Sequence, residues 1–531
     1  MGHTTRPETD TMPKLTDLTS YADAQRHCDS AGLWALFDGD RERLNITHEC
    51  VDRWASDPAR VAVRLAFADG GQQVITFAQL RDWSSRVAHW LTARGIVPGD
   101  RVAIMLEPSA PFYAALFGAM RMGAVAVPLF TLFGPDGVRL RVDDCKPRLL
   151  LTNAEKAETT GPIAGVDTVI ADDAFLEGLA GFPDLFEPAT RADDMAMFQY
   201  TSGTTRALPE AIRHSHRAVV VVANAALYGT GVRPGDRFFC PSSPAWGHGL
   251  WHGTLAPLGL GVETGTFSGR FDPALLLKAL ADFEITNVAA AATHYRMMRN
   301  SGSASQHRYA IGKMSFTGEP IDSETLAFAE AIFGTRMCSM YGTTEVGVIL
   351  ADYPGAPDFP PKPGSLGRPV PGVTVEVHAP DGTKCAPDQW GEIKVRRRDG
   401  WFPTKDLGRV DADGYFWHGG RADDVIISAG WTIGAVEVED ALLKHPAIRE
   451  AAVIGAPDEL RGQVVKAFVV CDRPGSEALT KDIQDFVRAR LAQHEYPRIV
   501  AFVADLPKTP AGKVNRKVLR EQDAQERSRT A

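Results

Sequence analysis

Two hydrophobic periods alternate in the first third of the chain. Over residues 76–91 apolar positions return every three or four residues, as on one face of a helix, whereas residues 101–106 form a short apolar run of strand length. The same pair recurs as a predicted helix over 110–122 and a predicted strand over 124–128. Alternation of this kind predicts layered α/β architecture around parallel strands. Residues 354–371, with Pro357, Pro360, Pro361, Pro363 and Pro369, cannot be helical and are expected to form an extended, irregular connection. Apolar and polar residues then alternate over 373–395 about an Asp381-Gly382 turn signal, which predicts hairpin strands in a small β subdomain. Past Arg421 the pattern changes to helix (436–444), strands (451–455 and 464–470) and helix (481–491), a compact α+β unit.

Composition narrows the function classes. A chain of 531 residues with 44% hydrophobic and 23% charged residues is globular and, at about 150 residues per domain, suggests three or four folding units. Its 57 basic against 66 acidic residues give a net charge of -9, the wrong field for nucleic acid, so any phosphate chemistry must rest on local basic groups. The seven cysteines are scattered and never form a C-x-x-C pair, against both a disulfide framework and a thiolate zinc site, and point to a reducing, cytoplasmic setting. Residues 1–19 contain no apolar core of a secretory signal. The most apolar stretch, 111–130, holds Arg121 and two prolines, so a buried helix and strand are expected there rather than a membrane span.

Candidate chemistry begins at Tyr200-Thr201-Ser202-Gly203-Thr204-Thr205, between the apolar runs 195–198 and 219–226. A strand, a hydroxyl-rich glycine loop and a helix make a phosphate cradle, since backbone N–H groups and hydroxyls all donate to phosphate oxygens. Taken alone, the same residues also describe a polar surface turn. No Walker pattern is present, and Gly259-Leu260-Gly261-Val262-Glu263-Thr264-Gly265 misses the dinucleotide fingerprint by one residue. His248 and His252 have i, i+4 spacing but lack an acidic or third histidine partner, so hydrogen-bonding or structural roles are expected rather than a metal.

That loop, with Tyr341-Gly342-Thr343-Thr344-Glu345, Thr404-Lys405-Asp406-Leu407-Gly408, Gly420-Arg421-Ala422-Asp423-Asp424 and Pro510-Ala511-Gly512-Lys513, resembles the ordered motifs of the adenylate-forming superfamily over roughly residues 45–520. The segment Leu44-Asn45-Ile46-Thr47-His48-Glu49-Cys50-Val51-Asp52-Arg53-Trp54 looks like acetyl- and medium-chain acyl-CoA synthetases. The resemblance implies a large N-terminal domain (1–422) and a small mobile C-terminal one (423–531) with its hinge at Asp423.

Residue by residue, the resemblance implies that Thr201, Ser202, Gly203, Thr204 and Thr205 bind phosphate. Gly318, Glu319 and Pro320 lie along the adenine, and Thr343 and Thr344 near the α-phosphate. Glu345 helps hold Mg²⁺, for which a hard oxygen ligand is suited. Asp406 accepts from the ribose hydroxyls, and Arg421 offers its guanidinium fork to phosphate or ribose oxygens. Lys513 bridges the carboxylate and the α-phosphate as charge shifts. Trp246, Gly247, His248, Tyr341 and Gly342 line the acyl pocket, with Phe267 a further candidate wall, and Gly430 borders the CoA tunnel. Departures from the family pattern are Arg206 and Glu210 after the phosphate loop, Lys405 in place of a glycine, and Thr432 in place of an arginine.

The implied activity is ATP-dependent acyl-CoA synthesis through an acyl-adenylate, with ATP, Mg²⁺, CoA and a carboxylic acid as the small-molecule partners. Gly342 stands where acetyl-CoA synthetases carry a tryptophan, so an acid larger than acetate is expected: medium-chain, alicyclic or aromatic. Loading of a carrier protein, or nucleotide binding without turnover, are the alternatives. Acetylation of Lys513 by a lysine acetyltransferase would remove its charge.

Overall fold

The expected helix–strand alternation is present in the computed structural model, which describes residues 14–200, 211–343, 345–421, 426–428, 431–458, 462–491, 495–509 and 514–530. Helix Phe77–Ala93 starts at a capping box: Thr76 Oγ1 accepts from Gln79 N at 3.2 Å, and Gln79 Oε1 from Thr76 N at 2.9 Å. Strand Arg101–Met105, helix Ala110–Arg121 and strand Val125–Pro128 follow as the apolar pattern predicts. These strands lie in a six-stranded sheet ordered Asp167–Ile170, Leu149–Thr152, Arg101–Met105, Val125–Pro128, Met195–Gln199, Ile212–Ser215. All neighbours are parallel except the last pair.

Helix Ala110–Arg121 is buried on every side, and this is where the apolar stretch with its arginine goes. Arg121 is 1% exposed, and its guanidinium grips Asp52 at 2.9 and 2.5 Å. It also donates to Ser84 Oγ at 3.0 Å and to Phe186 O at 3.2 Å. The segment 44–54 is therefore a docking element. Asn45 caps helix Ile46–Cys50 and donates to Met120 O at 3.0 Å, while Asp52 neutralises Arg121.

The second layer is a thirteen-stranded sheet. Its parallel part runs Val61–Phe67, Glu263–Ser268, Arg237–Phe239, Asn287–Ala291, Lys313–Thr317, Met337–Thr343, with Gln72–Thr76 antiparallel at the edge beside Val61–Phe67. Antiparallel strands Gly347–Ala351, Ser365–Pro369, Phe416–Arg421, Gly400–Val410, Gly391–Arg397 and Val375–His378 continue it. The predicted β subdomain is thus an extension of the main sheet. The proline-rich connection, expected to be irregular, supplies the linking strand Ser365–Pro369. Within it Gly367 has φ +80°, and a Cβ there would lie 2.1 Å from Ala351 O, so only glycine permits the strands to close.

After Arg421 a separate five-stranded sheet (Ile426–Ser428, Trp431–Ile433, Ile448–Asp458, Gly462–Cys471, Ile499–Phe502) packs with helices Ala435–Leu443, Glu477–Arg488 and Arg516–Thr530. Its core includes Val438, Leu442, Val453, Val469 and the i, i+4, i+8 series Leu479, Ile483, Val487. The predicted helix over 481–491 starts earlier because Ser476 Oγ caps Leu479 N at 3.1 Å. Among the described residues no helix is long and apolar enough to cross a membrane.

Removing one partner of a buried ion pair strands the other charge in a low-dielectric interior. Arg121→Ala is expected to lower stability by about 3–5 kcal/mol, read from the shift in denaturant midpoint. A shift below about 1 kcal/mol would refute the role given to the Arg121–Asp52 pair.

Candidate active site

In a parallel sheet the carboxyl ends of the strands are where ligands bind, and the candidate residues gather there. Strand Lys313–Thr317 runs into Gly318 at φ +94°, a left-handed conformation suited to glycine. The Glu319 carboxylate accepts from Arg296 Nη1 at 3.1 Å and from the Thr293 hydroxyl. Arg296 also donates to Pro320 O at 2.6 Å and to Asp322 Oδ2 at 3.0 Å. Burial alone would lower the Arg296 pKa, but the Glu319 and Asp322 carboxylates outweigh it and raise it. The 318–320 turn is therefore clamped by a fixed cation that the sequence reading missed. Its only sequence signal is an arginine on helix Ala292–Asn300, a place where surface arginines are ordinary.

Strand pairing joins two distant motifs. Asp406 and Arg421 are direct partners across the antiparallel strands Gly400–Val410 and Phe416–Arg421. Asp406 is 5% exposed, and its Oδ2 accepts from Tyr341 Oη at 2.5 Å. His418 Nε2 lies 3.9 Å from Oδ1, and the Tyr341 and His418 rings are 5.9 Å apart. Tyr341, expected in the acyl pocket, thus orients the carboxylate assigned to the ribose. Lys405 has φ +62°, so the family's glycine at this place answers a left-handed backbone and lysine occupies it under strain.

Gly342 is explained differently from the expectation that it leaves pocket space open. A Cβ there would lie 1.9 Å from Gly347 O and 2.7 Å from Val348 Cα. The residue is glycine because the next strand's backbone passes against it, at a bulge between Tyr341 and Gly342. Thr343 ends the strand, and Glu345 is exposed in the following turn with its carbonyl accepting from Arg397 Nη2. Among the described residues no group of three or more His, Cys, Asp or Glu forms a ready metal cage. One exposed carboxylate fits Mg²⁺ all the same, because that ion takes one or two carboxylates and completes its shell with phosphates and water.

Trp246, Gly247 and His248 open an eight-residue π-helix, His248–Leu255. Ring centroids are 5.5 Å apart for Trp246 and His248 and 5.6 Å for His248 and His252. A Cβ on Gly247 would touch the Gln199 amide at 3.6 Å. Trp251 Nε1 donates to Gln199 Oε1 at 3.0 Å, and the His214 ring lies 4.7 Å from that of Trp251. Burial lowers the pKa of both His214 and His252 to about 4. Gln199, Trp251 and His214 thus pack around the expected Trp246, Gly247 and His248, whereas Phe267 belongs to a hydrophobic core cluster.

The expected strand–loop–helix cradle has a different frame. Strand Met195–Gln199 is followed by the antiparallel strand Ile212–Ser215, and helix Ala218–Tyr228 comes only afterwards. Asp144 Oδ2 accepts from Tyr200 Oη at 2.7 Å and from Ala211 N at 3.1 Å, so one carboxylate ties both flanks of the loop. The expectations placed on Thr201, Ser202, Gly203, Thr204, Thr205, Arg206, Glu210, Thr344, Asp423, Gly430 and Lys513 fall outside the described residues.

The AMP-binding enzyme family matches residues 51–401, and the AMP-binding enzyme C-terminal domain matches residues 437–513. The chain is 30% identical to the acetyl-coenzyme A synthetase of Bacillus subtilis, over 95% of each chain. It is 31% identical to a 3-hydroxybenzoate–CoA ligase of an Aromatoleum species, over 85% of this chain and 92% of that one. The crystal structure of an anthranilate CoA ligase in complex with anthranoyl-AMP superposes with a TM-score of 0.82 at 25% identity, covering 93% of this chain and 99% of that one.

Two measurements check this geometry. Lys405→Gly is expected to gain about 0.5–1 kcal/mol, the relief of left-handed strain less the extra entropy of an unfolded glycine; a loss of stability on denaturant unfolding would contradict it. His214, His216, His252 and His294 are held neutral by burial, with pKa values lowered from 6.5 to about 4. The unfolded chain binds these protons first, so the contribution is complete above pH 6.5 and declines as pH falls from 6.5 towards about 4. The denaturation midpoint should already drop between about pH 7 and about pH 5, and a flat profile there would refute the neutral assignment.

Proposed function

The chain belongs to the AMP-binding enzyme family, as an AMP-forming acid–CoA ligase, and on that premise we propose that its acid is larger than acetate and carries a ring. A carboxylate oxygen attacks the α-phosphorus of ATP, the bond to the pyrophosphate oxygen breaks, and an acyl-adenylate forms. The CoA sulfur then attacks the acyl carbonyl, and AMP leaves with the former carboxylate oxygen.

The observation that supports the residue roles is the meeting of Tyr341, Asp406 and Arg421 in one place. Tyr341 donates to one carboxylate oxygen of Asp406 and fixes the group's rotation, and a carboxylate, with about four lone-pair sites, suits a ribose hydroxyl donor. Arg296 holds the 318–320 turn that we assign to the adenine. Glu345 is assigned to Mg²⁺, which neutralises phosphate charge when bound. We assign phosphate contacts to Thr201, Ser202, Gly203, Thr204, Thr205, Thr343, Thr344 and Arg421, and the transition-state cation to Lys513. The remaining assignments are domains of residues 1–422 and 423–531, a hinge at Asp423 and a CoA channel along Gly430. Acetylation of Lys513 would silence the enzyme.

The ring-bearing acid is supported by the aromatic lining of Trp246 and Trp251 and by similarity to the 3-hydroxybenzoate and anthranilate ligases. Gly342 lends it no support, since the adjoining strand occupies the space a side chain would need.

The test is CoA-dependent AMP formation across acetate, hexanoate, cyclohexanecarboxylate and benzoate. The ring acids are expected to give the highest kcat/KM, and a preference for acetate would refute the size assignment. Lys513→Ala should cost about 10²–10³ in the rate of adenylate formation while sparing thioester formation from supplied acyl-adenylate. Equal losses in both half-reactions under single-turnover conditions would refute the role of Lys513.

A further inference from the structure

The floor of the acyl pocket is polar in a way that apolar ring recognition does not use. Gln199 is 1% exposed, and its Nε2 has no hydrogen-bond partner. Which end of the amide faces the pocket is settled by chemistry: Trp251 Nε1 only donates, so the atom 3.0 Å from it must be Oε1, leaving the NH₂ on the free side. Gly247 packs beside this amide: a Cβ there would lie 3.6 Å from both Nε2 and Oε1.

Two further buried polar atoms at the same helix are without a partner, His214 Nε2 and His252 Nδ1, and Ser242 Oγ has only the Cys240 thiol beside it. His214 packs against Trp251, and a Cβ on Gly249 would lie 2.2 Å from Ser242 O, so Ser242 lies under the first turn. Both imidazoles are neutral at physiological pH, and each can accept as well as donate. A buried polar group without a partner costs about 1–3 kcal/mol, and native proteins rarely gather several. The backbone here is π-helical, a rare conformation that is most often met at functional sites.

We propose that the acid carries a hydroxyl group remote from its carboxylate, which accepts from Gln199 Nε2 and donates to a neighbouring imidazole, making Gln199 the specificity-determining residue. This rests on the acyl-pocket assignment made above. A hydroxyl satisfies both kinds of partner at once, whereas an unsubstituted ring or alkyl chain would bury the Gln199 donor unpaired.

The test compares benzoate with meta- and para-hydroxybenzoate, and cyclohexanecarboxylate with its para-hydroxy derivative. It reads kcat/KM for CoA-dependent AMP formation and, separately, equilibrium binding of each acid by calorimetry. The parent protein is expected to favour at least one hydroxylated acid over its parent compound by about 10- to 100-fold. Gln199→Leu should reduce that ratio to near one. Gln199→Glu, which keeps the side chain's size and an acceptor for Trp251, should also lose it, because a carboxylate offers no donor. A parent protein without preference, or a ratio unchanged in a folded Gln199 variant, overturns the proposal. AMP formation with equal kcat/KM for both members of every pair upholds the ligase reading and overturns this one. Hydroxyl-selective binding without AMP formation does the reverse.

Discussion

Tyr341 and Asp406 belong to strands with three others between them in hydrogen-bonding order, yet the phenol and the carboxylate meet at 2.5 Å. Four strand spacings on a flat sheet would hold their backbones about 19 Å apart, beyond the reach of the two side chains, so the sheet must curl strongly. Its irregularities lie where that curl is needed: bulges at Tyr341/Gly342, Ser365/Gly367 and Leu407/Gly408. Gly342, Gly367, Gly391 and Gly408 are among the residues whose absent Cβ lets neighbouring backbones approach in this sheet. The curl brings the 404–408 and 420–421 motifs over the carboxyl end of the parallel strands, beside the 341–345 motif. A site assembled from segments far apart in sequence follows from this one bend.

Much of this was legible in the sequence because local rules carried it. Helix Phe77–Ala93 announces itself by its period, and strand Val125–Pro128 by its apolar run. The order of the five motifs carried the resemblance to adenylate-forming enzymes, and that resemblance implied the chemistry. What stayed hidden depends on distant partners. Arg296 reads as a surface charge until Glu319 and Pro320 are seen to converge on it. Gln199 reads as a strand residue until Trp251 fixes its amide. The proline-rich connection hid a five-residue strand, because its pairing is supplied by partners some 15 to 50 residues away and not by its own pattern.

The departures from the family pattern separate into kinds. Lys405 keeps the left-handed backbone that glycine would adopt more easily, so the turn survives with a strained residue and an added positive charge in a chain of net charge -9. Gly342 looked like a statement about acid size and is instead a statement about strand packing. The segment 44–54, which resembles acetyl- and medium-chain acyl-CoA synthetases, docks onto helix Ala110–Arg121 through Asn45 and the Arg121–Asp52 pair. Motif residues such as Gly342 and Asn45 thus shape the surface that presents the proposed ligand contacts.

The central claim is that the acid's own oxygen attacks the α-phosphate and departs with AMP. Turnover of a carboxylic acid labelled with oxygen-18 in both carboxyl oxygens, with ATP and CoA in unlabelled water, tests this most directly. Mass spectrometry of the products should find one labelled oxygen in the AMP phosphoryl group and none in pyrophosphate. Label in inorganic phosphate with ADP as co-product, or unlabelled AMP, would contradict the acyl-adenylate route.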